Sequence, residues 1–182
     1  EHGVPLWVGE FGSVYNGAPE EIPDRLRALD DQLAVFGANG AHWTAWTYKD
    51  VETMGWMMLR KESEYVQRVA RVLGLKRTLG TDSWAGWLPP SEITRNVERI
   101  AEQAAAAIDH PELPAKQFSA YLKQAALDGF FGGFLQPEYA SAFRGLSESD
   151  LDRVLASFAL SQCRRNEPLL ELVRKHVSAQ RT

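Results

Sequence analysis

Hydrophobic positions in the first 75 residues follow two alternating rhythms. Val4-Pro5-Leu6-Trp7-Val8-Gly9 is an unalternating apolar run closed by Gly9 and Gly12, the pattern of a strand buried on both faces of a parallel sheet. From Pro19 to Phe36 the period changes. Ile22, Leu26, Leu29, Leu33 and Phe36 fall three or four apart with charges between them, and Gly37 and Gly40 follow as stop signals, which predicts an amphipathic helix. A second strand is predicted over about Ala41 to Thr47, rich in Trp and Thr, and a second helix carries Tyr65, Val66, Val69, Val72 and Leu73 before Gly74. The predicted order is strand, helix, strand, helix.

Beyond residue 75 the sequence becomes Ala-rich and helix-forming, after a linker holding Gly80, Gly86, Pro89 and Pro90. Ser91 is placed to cap a helix reaching about Ile108. Pro114 sits early in the next helix, and Ser147 caps a longer one containing Leu151, Val154, Leu155, Phe158 and Leu160. Gly129 to Gly133 reads as a turn. The expected division is residues 1–75 as an α/β part, 76–90 as linker and 91–182 as a helical extension resembling one small bundle.

Composition narrows the function classes. With 182 residues the chain holds one modest domain or two small ones. A net charge of −4 removes the electrostatic drive of non-specific nucleic-acid binding, and no run approaches the roughly 18 apolar residues of a membrane span, so neither nucleic acid nor membrane is an expected partner. One cysteine forbids an internal disulfide, and four scattered histidines offer no His-x-x-x-His pair. Metal and cofactor are therefore not expected. The first residues lack the order of a signal peptide, so the chain as written is expected to be soluble, with its compartment left open. All six tryptophans lie within the first 87 residues, which places aromatic-rich chemistry in the α/β part.

Glu10 follows the first apolar strand directly, at the end where parallel α/β architectures place active sites. Gly9 and Gly12 allow the backbone to turn and approach a ligand, and Phe11 is placed to exclude water. The second strand ends in Trp46-Thr47-Tyr48-Lys49-Asp50. An aromatic face at a strand's end stacks on the C–H bonds of a sugar ring, while Tyr48, Lys49 and Asp50 offer groups for its hydroxyls. Trp43 and Trp46 differ by an odd number and so point to opposite faces, one for packing and one, Trp46, for the site.

Leu6-Trp7-Val8-Gly9-Glu10-Phe11-Gly12, followed about thirty residues later by Trp43-Thr44-Ala45-Trp46-Thr47-Tyr48-Lys49-Asp50, resembles strands seven and eight of glycoside hydrolase family five, the cellulase family of clan A. The resemblance covers roughly residues 4 to 60. It implies an α/β fold in which residues 1–75 form the C-terminal two β/α units of a (β/α)8 TIM barrel, followed by the helical extension. It also implies Glu10 as the catalytic nucleophile of a retaining mechanism and Trp46 as the residue that stacks on the sugar. Tyr48 and Lys49 are then expected to touch sugar hydroxyls or orient Glu10, on a β-glucan or related glycoside.

A retaining site needs a second carboxyl about 5 to 5.5 Å from the first, and the family's acid/base lies in an Asn-Glu-Pro motif on an earlier strand. Asn166-Glu167-Pro168 spells that motif but follows the nucleophile and has no apolar strand leading into it, so it reads as a junction between two helices, capped by Asn166. Asp50 and Glu52 are weaker candidates for the partner carboxyl, since a loop there more often binds sugar or water. Because a full barrel takes about 250 residues, the chain is expected to be a C-terminal piece that is inactive without the barrel's N-terminal part. His2, His42, His110 and His176 read as structural or terminal, and Cys163 as a small buried hydrophobe on a helix with Phe158 and Leu160. The alternative is a helical docking module, residues 91 to 178, anchored to a barrel remnant by Trp84 and Trp87.

Overall fold

A computed structural model describes residues 3–15, 18–51, 53–81, 91–109 and 114–179. In chain order it contains β1 (Trp7–Phe11), a 3-10 turn (Pro19–Glu21), α1 (Ile22–Ala38), β2 (His42–Ala45), β3 (Lys49–Asp50), β4 (Met57–Leu59) and α2 (Glu64–Leu79). There follow α3 (Glu92–Ile108), α4 (Ala115–Gln124), a π-helical segment (Ala125–Phe131), α5 (Gly132–Ser141), α6 (Glu148–Leu155), two 3-10 turns, β5 (Cys163–Arg165) and α7 (Glu167–Ala179).

The first three regular elements form the strand-helix-strand unit read from periodicity, with β1 and β2 parallel. On α1 the predicted stripe is the packed face: Leu29 and Leu33 are buried, and Leu26 and Phe36 lie against them. The helix runs through Gly37 and ends at Ala38, just ahead of Gly40. At φ +60° Gly40 lets its N–H reach the Gly37 carbonyl at 3.1 Å and the Ala41 N–H reach that of Phe36 at 2.9 Å, a double closure that suits glycine. The expectation that the first apolar run is buried is corrected. Val4, Leu6 and Trp7 are 76%, 58% and 69% exposed, because among the described residues β1 pairs on one edge only and α1 covers a single face. Two pairing partners and a second layer are what an unalternating strand requires.

A second sheet has the order β3-β4-β5, with β3 parallel and β5 antiparallel to β4. Cys163 is buried as expected but lies on β5, opposite Leu59, rather than on a helix. Asn166 begins α7, its carbonyl accepting from the Leu170 N–H at 2.9 Å, so the helix-junction reading holds on one side only: a strand precedes it.

Contacts group residues 1–66 with 152–182 in one unit and residues 67–151 in another. This differs from the division by composition, of whose linker residues 82–90, with Trp84 and Trp87, lie outside the described residues. The cause is packing. Leu169 and Val173 of α7 join Leu29 and Leu33 in one buried cluster, and β5 completes the second sheet, so residues 152–182 belong to the first unit despite their helical composition.

In the second unit Ser91 caps α3 as predicted, accepting from the Thr94 N–H at 3.1 Å. The Ser147 cap is reciprocal: its Oγ accepts from the Asp150 N–H, and the Asp150 carboxylate accepts from the Ser147 N–H, both at 3.2 Å. Gly129 to Gly133 is not a turn but the junction of the π-helical segment with α5. Leu127, Phe131 and Leu135, spaced four apart, supply a helical stripe with Leu127 and Leu135 buried, and that burial outweighs the low helix propensity of glycine, about 1 kcal/mol per residue. Among the described residues no helix is long and apolar enough to cross a membrane, and no group of three His, Cys, Asp or Glu could hold a metal ion.

The attachment of α7 to α1 has a charged latch. Lys175 Nζ donates to both Asp30 carboxylate oxygens at 2.9 Å, and His176 Nε2 shares a hydrogen bond with Oδ1. These bonds, the lysine's first, hold the Asp30 carboxyl below the usual carboxylate range. A depressed folded value means the contribution is present above the ordinary carboxylate pKa of about 4 and lost as pH falls through the lower folded value. Asp30→Asn is therefore expected to lower the thermal midpoint modestly at neutral pH and to match the parent chain at strongly acid pH. An unchanged gap in midpoints measured across that range would show that the carboxylate charge is not what latches α7.

Candidate active site

The geometry at Glu10 follows from the register of β1 on β2. Trp7 lies opposite His42 and Val8 opposite Trp43, but Phe11 lies opposite Ala45, with an irregularity between Val8 and Phe11. Three residues of β1 thus span two of β2, which is the signature of a bulge. Its effect is visible in burial: Val8 and Phe11 are half-buried on the α1 side with Trp43 and Ala45, whereas Gly9 and Glu10 are both exposed. Phe11 packs edge-on against Phe36 at 5.0 Å and Trp43 at 5.5 Å between ring centroids. Trp7 shares the opposite side with Thr44, to whose hydroxyl its Nε1–H donates at 3.0 Å.

Beyond the strand ends the backbones stay close. The Trp46 N–H donates to the Phe11 carbonyl at 2.8 Å, and a Cβ on residue 12 would collide with the Trp46 carbonyl, so Gly12 is needed for this approach. Glu10 and Trp46 thereby stand at adjoining carboxyl ends of two parallel strands. The Trp46–Thr47 peptide bond is cis. Trp46 is 52% exposed and Tyr48 56%, and Tyr48 meets the edge of Trp56 at 6.5 Å. Trp43, by contrast, is half-buried against Phe11, while Trp46 lies beyond the end of β2.

The other polar residues of this segment are engaged elsewhere. Lys49 Nζ donates to the Phe158 carbonyl at 2.6 Å and lies 5.8 Å from the centroid of that ring, which differs from the expected sugar contact. Asp50 accepts from the N–H groups of Thr53 at 3.1 Å and Met54 at 2.6 Å, tying its own turn. Glu52 lies outside the described residues, as do His2 and His110. Glu167 of the Asn-Glu-Pro sequence pairs at 3.7 Å with Arg174 and at 3.9 Å with Arg165, at the start of α7.

Sequence reasoning missed Tyr15. Its N–H donates to the Thr53 carbonyl at 2.7 Å, and its ring borders a small void shared with Phe11, Gly12, Trp46, Trp56 and Leu169. The hydroxyl is buried with no hydrogen-bond partner among the described residues, and burial pushes its pKa up to about 12. No local pattern around Tyr15 announces this, since the residues that enclose it come from four separate elements.

No protein-family model and no solved structure matches the chain. A beta-xylosidase of Phanerodontia chrysosporium is 27% identical over 188 residues, covering 97% of this chain and 39% of that protein. The chain is similar to a glycosidase. It spans about two fifths of that relative's length, and the similarity runs through the helical residues as well as the α/β part. The observed architecture is mixed α/β and helix-rich with small sheets.

Proposed function

We propose that the intact protein is a retaining glycoside hydrolase of the family-five type, in which residues 1–75 contribute the last two β/α units of a TIM barrel and Glu10 is the nucleophile. The observation that carries this reading is the bulge-exposed Glu10 beside the exposed Trp46 at the carboxyl ends of two parallel strands. A Glu10 carboxylate oxygen attacks the anomeric carbon and forms a glycosyl ester as the glycosidic C–O bond breaks, and a carboxylic acid gives its proton to the leaving oxygen. Water, deprotonated by the same second carboxyl, then hydrolyses the ester and returns both groups to their starting state. Trp46 stacks on the sugar and Tyr48 meets a hydroxyl. In this reading the acid/base comes from an earlier strand of the barrel, outside residues 1–182; Asp50 is engaged in its own turn and Glu167 pairs with two arginines.

The relative's activity makes β-xylosides the first substrates to offer, with β-glucosides beside them. The intact protein is expected to hydrolyse an aryl β-xyloside or β-glucoside with the β-anomer released first, read by proton NMR during turnover, while residues 1–182 alone are inactive. Release of the α-anomer first, or turnover by the isolated chain, contradicts the proposal.

A further inference from the structure

We propose that the C-terminal segment, residues 152 to 179, positions the sugar-facing aromatics Trp46 and Tyr48, and that Lys49 and Phe158 are positioning residues rather than sugar ligands. Among its described residues the stretch from Trp46 to Trp56 contains only the two-residue β3 and has little regular structure of its own to hold it. Besides the Asp50 turn and the backbone bonds to Phe11 and Tyr15, its ties arrive from the far end of the sequence. Lys49, next to Tyr48, is tied through its ammonium to the carbonyl of Phe158, 109 residues later, above the same residue's ring. That ring in turn packs on Tyr65 at 4.7 Å, so the acceptor is itself fixed.

The ties continue along the segment. Strand β5 pairs with β4 through Cys163, Arg164 and Arg165, and β4 is the neighbour of β3. The Asn166 N–H donates to the Trp56 carbonyl at 2.9 Å, while the Trp56 N–H donates to Thr47 at 3.2 Å and its ring meets Tyr48. Behind Trp46, Leu169 and Val173 of α7 border the same void as Trp56 and Leu33. Each exposed aromatic is therefore backed by a residue of, or bonded to, the C-terminal segment. An aromatic platform held in place loses less freedom when a sugar binds, so loosening it weakens binding more than it slows chemistry at Glu10, which β1 holds separately.

The effect on sugar binding rests on the function proposed above, and the test therefore has an arm that does not. In the intact protein, Lys49→Met and Phe158→Leu are compared with the parent for KM and kcat on an aryl β-xyloside and for amide hydrogen exchange over residues 47–59. Both variants are expected to raise KM about tenfold with kcat changed by less than about threefold, the size of one lost charge-assisted tie, and to speed exchange over 47–59. Lys49→Arg is expected to restore most of both. A raised KM in Lys49→Met with unchanged exchange, and no effect of Phe158→Leu, makes Lys49 a sugar ligand and overturns the inference. Unchanged KM and exchange in both variants overturn it equally. A parent protein without glycosidase activity defeats the proposed function alone, and the exchange arm then decides: acceleration supports positioning, and its absence refutes it.

Discussion

Glu10→Gln in the intact protein is expected to lose at least about a thousandfold in kcat on aryl β-glycosides, because an amide cannot form the glycosyl ester and removal of a covalent nucleophile costs several kcal/mol of transition-state stabilisation. Folding is expected to be unaffected, since the side chain is exposed and stands off the packed face of β1. Glu10→Gly supplies the sharper reading. The smaller residue leaves room for an external anion such as azide, which attacks from the vacated side and yields a glycosyl azide of opposite anomeric configuration. A Glu10→Gln protein that hydrolyses at the parent rate ends the nucleophile assignment, and an azide product of retained configuration moves Glu10 to the acid/base role.

The second large effect is structural. Leu33 is fully buried between α1 and α7, with Leu29, Leu169 and Val173 around it and Phe11 and Trp56 against the cluster. Leu33→Ala is expected to cost about 2 to 5 kcal/mol, the transfer free energy of the lost side chain plus a cavity that two helices cannot close. Denaturant unfolding of residues 1–182, followed by circular dichroism, measures it. A loss below about 1 kcal/mol would show that α7 moves in to fill the space and that the cluster is not a tightly packed core. Because Leu33 also borders the void beneath Trp46, the same substitution is expected to broaden the environment of that tryptophan, visible in its fluorescence.

What was legible in the sequence is what depends on neighbours close along the chain. The stripe on α1 and the caps Ser91 and Ser147 rest on spacings of a few residues, and the structure has them. Two local signals misled. Glycines at 129, 132 and 133 suggested a turn, but flanking apolar residues at helical spacing prevailed. The unbroken apolar run before Glu10 suggested burial on both faces, a property that depends on neighbouring strands and not on the run itself. Cys163 was placed in the right environment and the wrong element, because a three-residue strand has too few positions to show alternation.

The candidate site divides in the same way. Glu10 and Trp46 stand out as candidates because each lies at the end of an apolar strand, while the tie of Lys49 does not show in the sequence, because its acceptor is a backbone carbonyl 109 residues away and any residue type supplies one. Tyr15 and the return of α7 to the first unit are likewise products of long-range packing, to which local patterns are blind.

The bulge in the first strand decides which side of the sheet Glu10 faces. In a regular strand with Val8 facing α1, every second residue turns the same way, and position 10 would be delivered to the greasy side beside Phe36 and Trp43. There burial disfavours the charged carboxylate, the form that attacks carbon. One surplus residue switches the parity, sending the phenyl ring inward and leaving the Glu10 side chain at the solvent, so a single count along the backbone decides whether this group can meet a ligand at all.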